Sequence, residues 1–399
     1  MATGVTTKRR GSKRPYALQY AGKLARAEVL SLPAVEPREV AIASESGKLF
    51  QGDNLSAMLW LRAQPETRGK VRSVYIDPPY STSMAFVDRE VNHAYDDHLD
   101  GAEYLESLRR RLIALHDLLA GNGSIFVHLD QNMIFETKIL MDETFGRENF
   151  RNFITRKKCS TKNYTRNCFG NIADHILFYT KSNEYVWHRP YDQWSHERIE
   201  EEYPYIDHKT GRRYKKVPVH APGVRRGETG KPWRGKLPPQ GKHWQYPPSK
   251  LDQLDAEGAI YWSPTGNPRR KLFFDASKGI PAQDIWMGFR DPYNQNVLIT
   301  GYPTEKNFEL VSRLIAATTN PGDLVLDCFC GSGTTLEAAA SLGRRFMGID
   351  IADSAIKATV KRLRDGRGRM GDFVGARPPK KSVPHEPDLF SLAPGNNGG

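Results

Sequence analysis

Two short apolar runs, Val74-Tyr75-Ile76 and Leu324-Val325-Leu326, each stop at an aspartate, and 250 positions (77 to 327) separate the two acids. Runs of that length and composition read as buried strands. The first continues into Asp77-Pro78-Pro79-Tyr80. Two consecutive prolines lack backbone N–H groups, so they cannot extend a central strand, and the chain must leave a sheet there. The second run enters Asp327-Cys328-Phe329-Cys330-Gly331-Ser332-Gly333-Thr334-Thr335. Its glycines allow close backbone approach, and the helix that follows offers free N–H groups at its start. Acids at the carboxyl ends of buried strands call for an open α/β sheet with its ligand site along that edge.

The rest of the chain supplies matching elements. Leu49-Phe50-Gln51-Gly52-Asp53-Asn54 reads as a strand entering a turn, with Asn54 or Ser56 capping a helix that carries Ala57, Met58, Leu59 and Leu61. Residues 81–98 are polar, lack periodicity and predict a mobile loop over the site. Tyr104, Leu105, Leu108, Leu112, Leu115, Leu118 and Leu119 recur at helical spacing until Gly121-Asn122-Gly123. Ser124 to Asp130 predicts another buried strand, followed by a helix over about 133–144 and strands near 152–156 and 176–179. After residue 305 the alternation resumes with a helix from Phe308, the strand at Leu324, a helix over 336–342, a strand over 346–351 and a helix over 355–363. This pattern predicts a Rossmann-like, doubly wound, mostly parallel sheet.

Composition changes between those halves. Of 399 residues, Lys and Arg exceed Asp and Glu by 12. Much of the surplus falls in 205–245, where Arg212, Arg213, Lys215, Lys216, Arg225, Arg226, Arg234 and Lys242 stand against only Asp207 and Glu228. Tyr214, Trp233, Trp244 and Tyr246 are interleaved with them. A solvated linker seldom carries so many rings, so the eight basic residues are candidate nucleic-acid contacts, with lysine and arginine gripping phosphate. The expected organisation is a basic arm (1–45), a first half-domain (46–185), a nucleic-acid-contacting module (186–285), a second half-domain (286–365) and a disordered tail (366–399). No apolar run approaches the length of a membrane span, and the basic N-terminus has no apolar stretch behind it. The four cysteines, Cys159, Cys168, Cys328 and Cys330, fit neither a zinc site nor a redox pair. A reducing cytoplasm, with association to the nucleoid through DNA, is the expected location.

The two halves of the site imply a chemistry. Asp77, the Pro78 carbonyl and the Tyr80 ring, turned out of the strand by Pro79, suit a planar group bearing an NH2. The Asp327–Thr335 turn suits a nucleoside-like cofactor, and Asp350, ending the next strand, could accept from ribose hydroxyls. A dinucleotide pattern needs a third glycine, whose place Leu336 takes, and Asp327 would repel a diphosphate. S-adenosyl-L-methionine fits better, because it is cationic and carries no phosphate.

Asp77-Pro78-Pro79-Tyr80 together with Phe329-Cys330-Gly331-Ser332-Gly333-Thr334-Thr335, in that order, resembles the β group of amino-methylating DNA methyltransferases. Gly52-Asp53-Asn54-Leu55, Tyr302-Pro303-Thr304-Glu305-Lys306 and Gly348-Ile349-Asp350-Ile351 look like the family's accompanying segments. Segments around Trp233-Arg234 and Asp284-Ile285-Trp286 resemble modification subunits of restriction–modification systems. The resemblance covers about 45–365. It departs at Cys328 and Asn307, where relatives carry proline. It implies catalysis by Asp77, Pro78, Pro79 and Tyr80. It implies cofactor contacts from Asp53, Asp77, Tyr302, Thr304, Asp327, Phe329, Gly331, Ser332, Gly333, Thr334, Asp350 and Ile351. No metal is called for.

The implied activity is site-specific methylation of adenine N6 in double-stranded DNA. Cytosine N4 stays open as an alternative, because both bases present the same NH2. Cytosine C5 is disfavoured, since that reaction uses a cysteine after proline and no Pro-Cys exists here. A subunit active only with a restriction partner is a further alternative, and a homodimer is a further arrangement the resemblance admits. Asp291-Pro292-Tyr293 lacks the second proline and the preceding strand, and reads as a turn. His128 reads as packed within its strand.

Overall fold

In the computed structural model, successive residues of one strand fall into two different cores. Residues 16–79, 86–87, 93–95, 101–159, 167–291, 298–299 and 305–369 are described. Strand β3 (Val71–Ile76) buries Val74 and Ile76 among one set of helices and Tyr75 among another. A period of two that is apolar on both faces is the mark of a sheet covered on both sides.

The elements follow in order. They are β1 (Arg38–Val40), β2 (Gly47–Gln51), α1 (Asn54–Ala63), β3, α2 (Gly101–Leu118), β4 (Leu119–Leu129) and α3 (Ile134–Phe145). Next come β5 (Phe150–Lys157), β6 (Ala173–Thr180), β7 (Ile285–Trp286), α4 (Phe308–Thr318), β8 (Leu324–Asp327), α5 (Thr334–Ser341), β9 (Arg345–Asp350) and α6 (Asp353–Asp365). The sheet order is β1-β2-β9-β8-β3-β4-β6-β5-β7. Neighbours from β2 to β4 are parallel, and β6 runs antiparallel to both β4 and β5. This is the Rossmann-like doubly wound α/β fold. Strand β3, from before the basic insert, lies beside β8, from after it, so the two halves of the chain make one sheet. Helices α1, α2 and α3 pack on one face. Helices α4, α5 and α6 pack on the other.

Two local expectations change. The cap of α1 is Asp53, whose carboxylate accepts from Ser56 N–H at 2.9 Å, so neither Asn54 nor Ser56 fills that role. Asp53 is the last residue with extended backbone, which is where an acceptor can fold back onto the first turn. The stretch Gly121-Asn122-Gly123 does not stop α2. The helix ends at Leu118, and strand pairing of Leu119 with Val71 carries the chain through the glycines. Of the expected loop 81–98, only the paired strands Phe86–Val87 and His93–Tyr95 lie within the described residues.

Contacts divide the chain into Met1–His188 with Gln283–Gly399, and Arg189–Ala282. The second unit has regular structure that its sequence pattern hides. An antiparallel sheet runs Tyr205–Ile206, Arg213–Pro218, Pro268–Phe273, Ile260–Trp262 in spatial order. Trp233, Trp244, Val219, Leu251 and Ile260 form its core. Large rings fill that core because the segment has few aliphatic residues, and each indole N–H finds a partner, Asp252 for Trp233 and the Lys231 carbonyl for Trp244.

Candidate active site

Five parallel strands side by side each deliver an aspartate to the same edge. Asp350 and Asp327 are the last residues of β9 and β8, Asp77 and Asp130 come one residue after β3 and β4, and Asp53 comes two after β2. Asp327 is buried and accepts from Phe329 N–H at 2.9 Å and Thr335 Oγ1 at 2.6 Å. Burial pushes its carboxyl up to about 7, and the charges of Asp77 and Asp350 act in the same direction, against those two hydrogen bonds. Asp350 is also raised by burial, although its oxygens accept from Gly331 N–H and Ala352 N–H, each at 2.9 Å. Each oxygen keeps lone-pair capacity for a further donor.

The loop between β8 and α5 is shaped by contacts as much as by its glycines. Gly333, at φ +76°, caps α5, and a Cβ there would stand 2.8 Å from Thr359 Oγ1. The Thr359 hydroxyl donates to the Gly331 carbonyl at 2.8 Å. Leu336, in the place of a dinucleotide-type third glycine, finds room because Gly348 on β9 faces it. A Cβ on Gly348 would come within 2.5 Å of the Leu336 side chain. The close helix–strand approach is thus kept with the glycine on the opposite partner. Arg362 of α6, fully buried, donates to the Ser332 carbonyl and pairs with Glu305 at 2.9 Å and with Glu337.

Around β3, Asp77 forms an ion pair with Lys306, and Pro78 beside it is buried. Beneath Asp77, the Tyr75 hydroxyl meets His128 Nδ1 at 2.7 Å, and His128 Nε2 stands 3.4 Å from Asp174. Arg156 links Asp174 at 2.9 Å to Asp291 at 2.6 Å, so Asp291 serves this buried network. Burial alone would raise the Asp174 carboxyl, but His128, Arg156 and Lys158 hold it below the usual carboxylate range. On the cofactor side, the Asn54 amide donates to the Cys328 carbonyl at 2.7 Å, and Arg111 of α2 donates to Asn54 and lies over the Phe329 ring.

The structure therefore gathers Asp77, Pro78, Pro79, Asp327, Phe329, Gly331, Ser332, Gly333, Thr334 and Asp350 along one sheet edge. Ser332 and Thr334 are buried, with hydroxyls 3.2 Å apart. Asp53 caps α1 and stands 3.4 Å from Arg111. Ile351, just past β9, is exposed. Tyr80, Tyr302 and Thr304 lie outside the described residues. Lys306, Arg362, Asn54 and Arg111 were missed. Lys306 and Asn54 sit inside segments already singled out, but nothing in sequence shows which of their atoms reach the site.

A family model described as DNA methylase matches residues 71–361. That span takes in both halves of the site and the unit between them. The chain belongs to this N6/N4 DNA methylase family. It is 52% identical over 305 residues to the type II methyltransferase M.EcaI of Enterobacter cloacae, covering 76% of this chain and 67% of that one. It is 27% identical over 382 residues to the StyLTI Mod subunit, a type III restriction-modification protein of Salmonella typhimurium, covering 82% of this chain and 54% of that one. The methylase thus spans about half the length of that Mod subunit. Among solved structures, the M1.HpyAVI-SAM complex covers 80% of this chain and 99% of its own at 16% identity, with a TM-score of 0.43.

Within this methylase, Cys328 and Cys330 flank Phe329 but are buried, and burial holds both thiols well above their ordinary value. Thiols kept protonated are poor nucleophiles. The eight basic residues of the second unit divide by their contacts. Arg213 pairs with Glu200, Lys215 with Glu202, and Arg234 with Asp252 and Asp255. Lys216 lies 3.7 Å from the ring centroids of both Tyr205 and Tyr261. Arg212 covers Phe273 and is exposed, as are Arg225, Arg226 and Lys242. No helix among the described residues is long and apolar enough to cross a membrane.

Proposed function

We propose that this chain is a site-specific DNA methyltransferase that acts on adenine N6 in duplex DNA, with S-adenosylmethionine as donor. The observation that carries this reading is the meeting of Asp77-Pro78, at the end of β3, with the Asp327–Asp350 loop on the neighbouring strands. The site fits a cationic, phosphate-free nucleoside. Asp327 offers a buried acid to an ammonium group, Asp350 has acceptor capacity for ribose hydroxyls, and the line of carboxylates disfavours a diphosphate.

The bound donor supplies an electrophilic methyl group on a sulfonium. The chain's part is to hold the amine. An exocyclic NH2 delocalises its lone pair into the ring. Asp77 and the Pro78 carbonyl each accept one N–H, which localises the pair toward the methyl carbon. With the donor bound, the nitrogen–carbon bond would form as the carbon–sulfur bond breaks, the sulfur leaving as a neutral thioether and the amine releasing one proton to water. Holding the partners in line supplies several kcal/mol. The target base must leave the stack to reach the strand ends, and Tyr80 would stack on it. The basic unit 189–282 reads the duplex, and the protein works in the cytoplasm.

Adenine is favoured over cytosine N4 because the tetrapeptide begins with Asp77. A modification subunit dependent on a restriction partner is the second reading, supported by the 27% likeness to a Mod subunit. Tritium transfer from S-adenosylmethionine to duplex DNA, followed by nucleoside analysis, tests both. N6-methyladenine from the wild type and none from Asp77→Ala is expected. Label in N4-methylcytosine would overturn the choice of base, and transfer that appears only after a partner is added would favour the second reading.

A further inference from the structure

Lys306 ends a segment that the sequence singles out but is not among the expected site residues, yet its ammonium is ion-paired with the Asp77 carboxylate. Both side chains are largely buried, at 12% and 19% exposure. Lys306 is held from behind on two sides. Its neighbour Glu305 is buried and pairs at 2.9 Å with Arg362, which also grips Ser332 of the cofactor loop. Its other neighbour, Asn307, caps α4 by accepting from Leu310 N–H at 3.0 Å and donates to the Arg290 carbonyl at 3.0 Å. Three successive side chains thus leave the backbone toward three separate anchors. A lysine on so fixed a backbone can hold a carboxylate in one place.

Asp77 needs such a hold. Its acceptor lone pairs must stay on the line of the amine N–H, because a hydrogen bond weakens steeply off that line.

We propose that Lys306 is a positioning residue for methyl transfer, holding the Asp77 carboxylate oriented toward the amine, with Glu305 and Arg362 anchoring it to the cofactor loop. The inference rests on the methyl-transfer reading.

Steady-state methylation by Lys306→Met and Lys306→Arg, with donor affinity by calorimetry and melting temperature on the same samples, tests it. Lys306→Met lowers kcat on the order of 100-fold, the scale for losing one preorganised electrostatic contact. The KM for DNA, the donor Kd and the Tm stay near wild type, and Lys306→Arg recovers most of the rate. A wild-type kcat in Lys306→Met would overturn the role of Lys306 and leave the methyl-transfer reading standing. So would a loss carried entirely by donor Kd or Tm. A wild type that transfers no methyl group to DNA, with or without a partner, would overturn both.

Discussion

Asn54, the first residue of α1, donates its side-chain amide to the Cys328 carbonyl at 2.7 Å, across 274 positions of sequence. The other end of the same amide accepts from Arg111 Nε at 2.6 Å. One side chain therefore ties the first half of the chain to the loop between β8 and α5. Removing the amide leaves a loop carbonyl unpaired and Phe329 less constrained. Asn54→Ala is expected to weaken donor binding by about 1–2 kcal/mol, roughly 5- to 30-fold in Kd, the usual scale for a partly buried hydrogen bond. Calorimetric titration checks this, and an unchanged Kd would show that the loop keeps its shape without Asn54.

On the proposed reading, Asp327 ties donor binding to pH. Its carboxyl sits near 7 in the free protein, and a cationic ligand requires the ionised form. Below about 7 the ligand must displace a proton, so Kd rises by up to roughly tenfold per pH unit as pH falls. Calorimetry at pH 6 in buffers of different ionisation enthalpy should detect proton release that Asp327→Asn abolishes. The effect on folding has the opposite sense. The folded state holds this proton more tightly than the unfolded chain, so the contribution of Asp327 to stability is present at low pH and is lost as pH rises from about 4 toward 7. In Asp327→Asn, unfolding curves over that window should flatten by comparison.

The sheet was legible because apolar runs such as Val74–Ile76 and Leu324–Leu326 are too short for helices and end in chemistry that forces a turn. The row of acids was legible in part. Asp77, Asp327 and Asp350 stand out beside their motifs, whereas the capping of α1 by Asp53 is set by backbone geometry at the helix start. Pairings such as Lys306 with Asp77, or Arg362 with Glu305, depend on how distant segments meet, and no local pattern encodes that. The sheet of the second unit was hidden for another reason. Its strands are short and, as in Arg213–Pro218 and Pro268–Phe273, carry runs of cations instead of alternating apolar with polar residues, so the period of two has no hydrophobic signature.

Gly348 and Leu336 form a steric pair that should be separable by mutation. A Cβ at Gly348 meets the Leu336 side chain at 2.5 Å, which is too close for any real contact. Gly348→Val overpacks this interface and should cost about 1–3 kcal/mol. Combining it with Leu336→Ala makes room, so the double variant should be more stable than the two single losses added together. Urea unfolding of all four proteins gives the coupling, and strict additivity would mean that α5 and β9 yield independently.

The basic residues of the second unit should separate into two groups in DNA binding. Arg225, Arg226 and Lys242 are exposed, and each is available to displace a counterion from phosphate. Replacing any one with alanine should weaken binding to all sequences alike and lower the slope of log affinity against log salt by about 1. Arg213 and Arg234 are committed to acids of their own unit. Arg234 moreover sits at φ +48°, in a tight turn closed by reciprocal backbone hydrogen bonds between Trp233 and Lys236 at 2.9 Å. Only glycine and asparagine adopt that backbone readily, so an arginine held there by Asp252 and Asp255 is serving the turn. Arg234→Asn should leave the salt slope at its wild-type value. A slope lowered as much by Arg234→Asn as by Arg225→Ala would place Arg234 on phosphate and make its acid partners incidental.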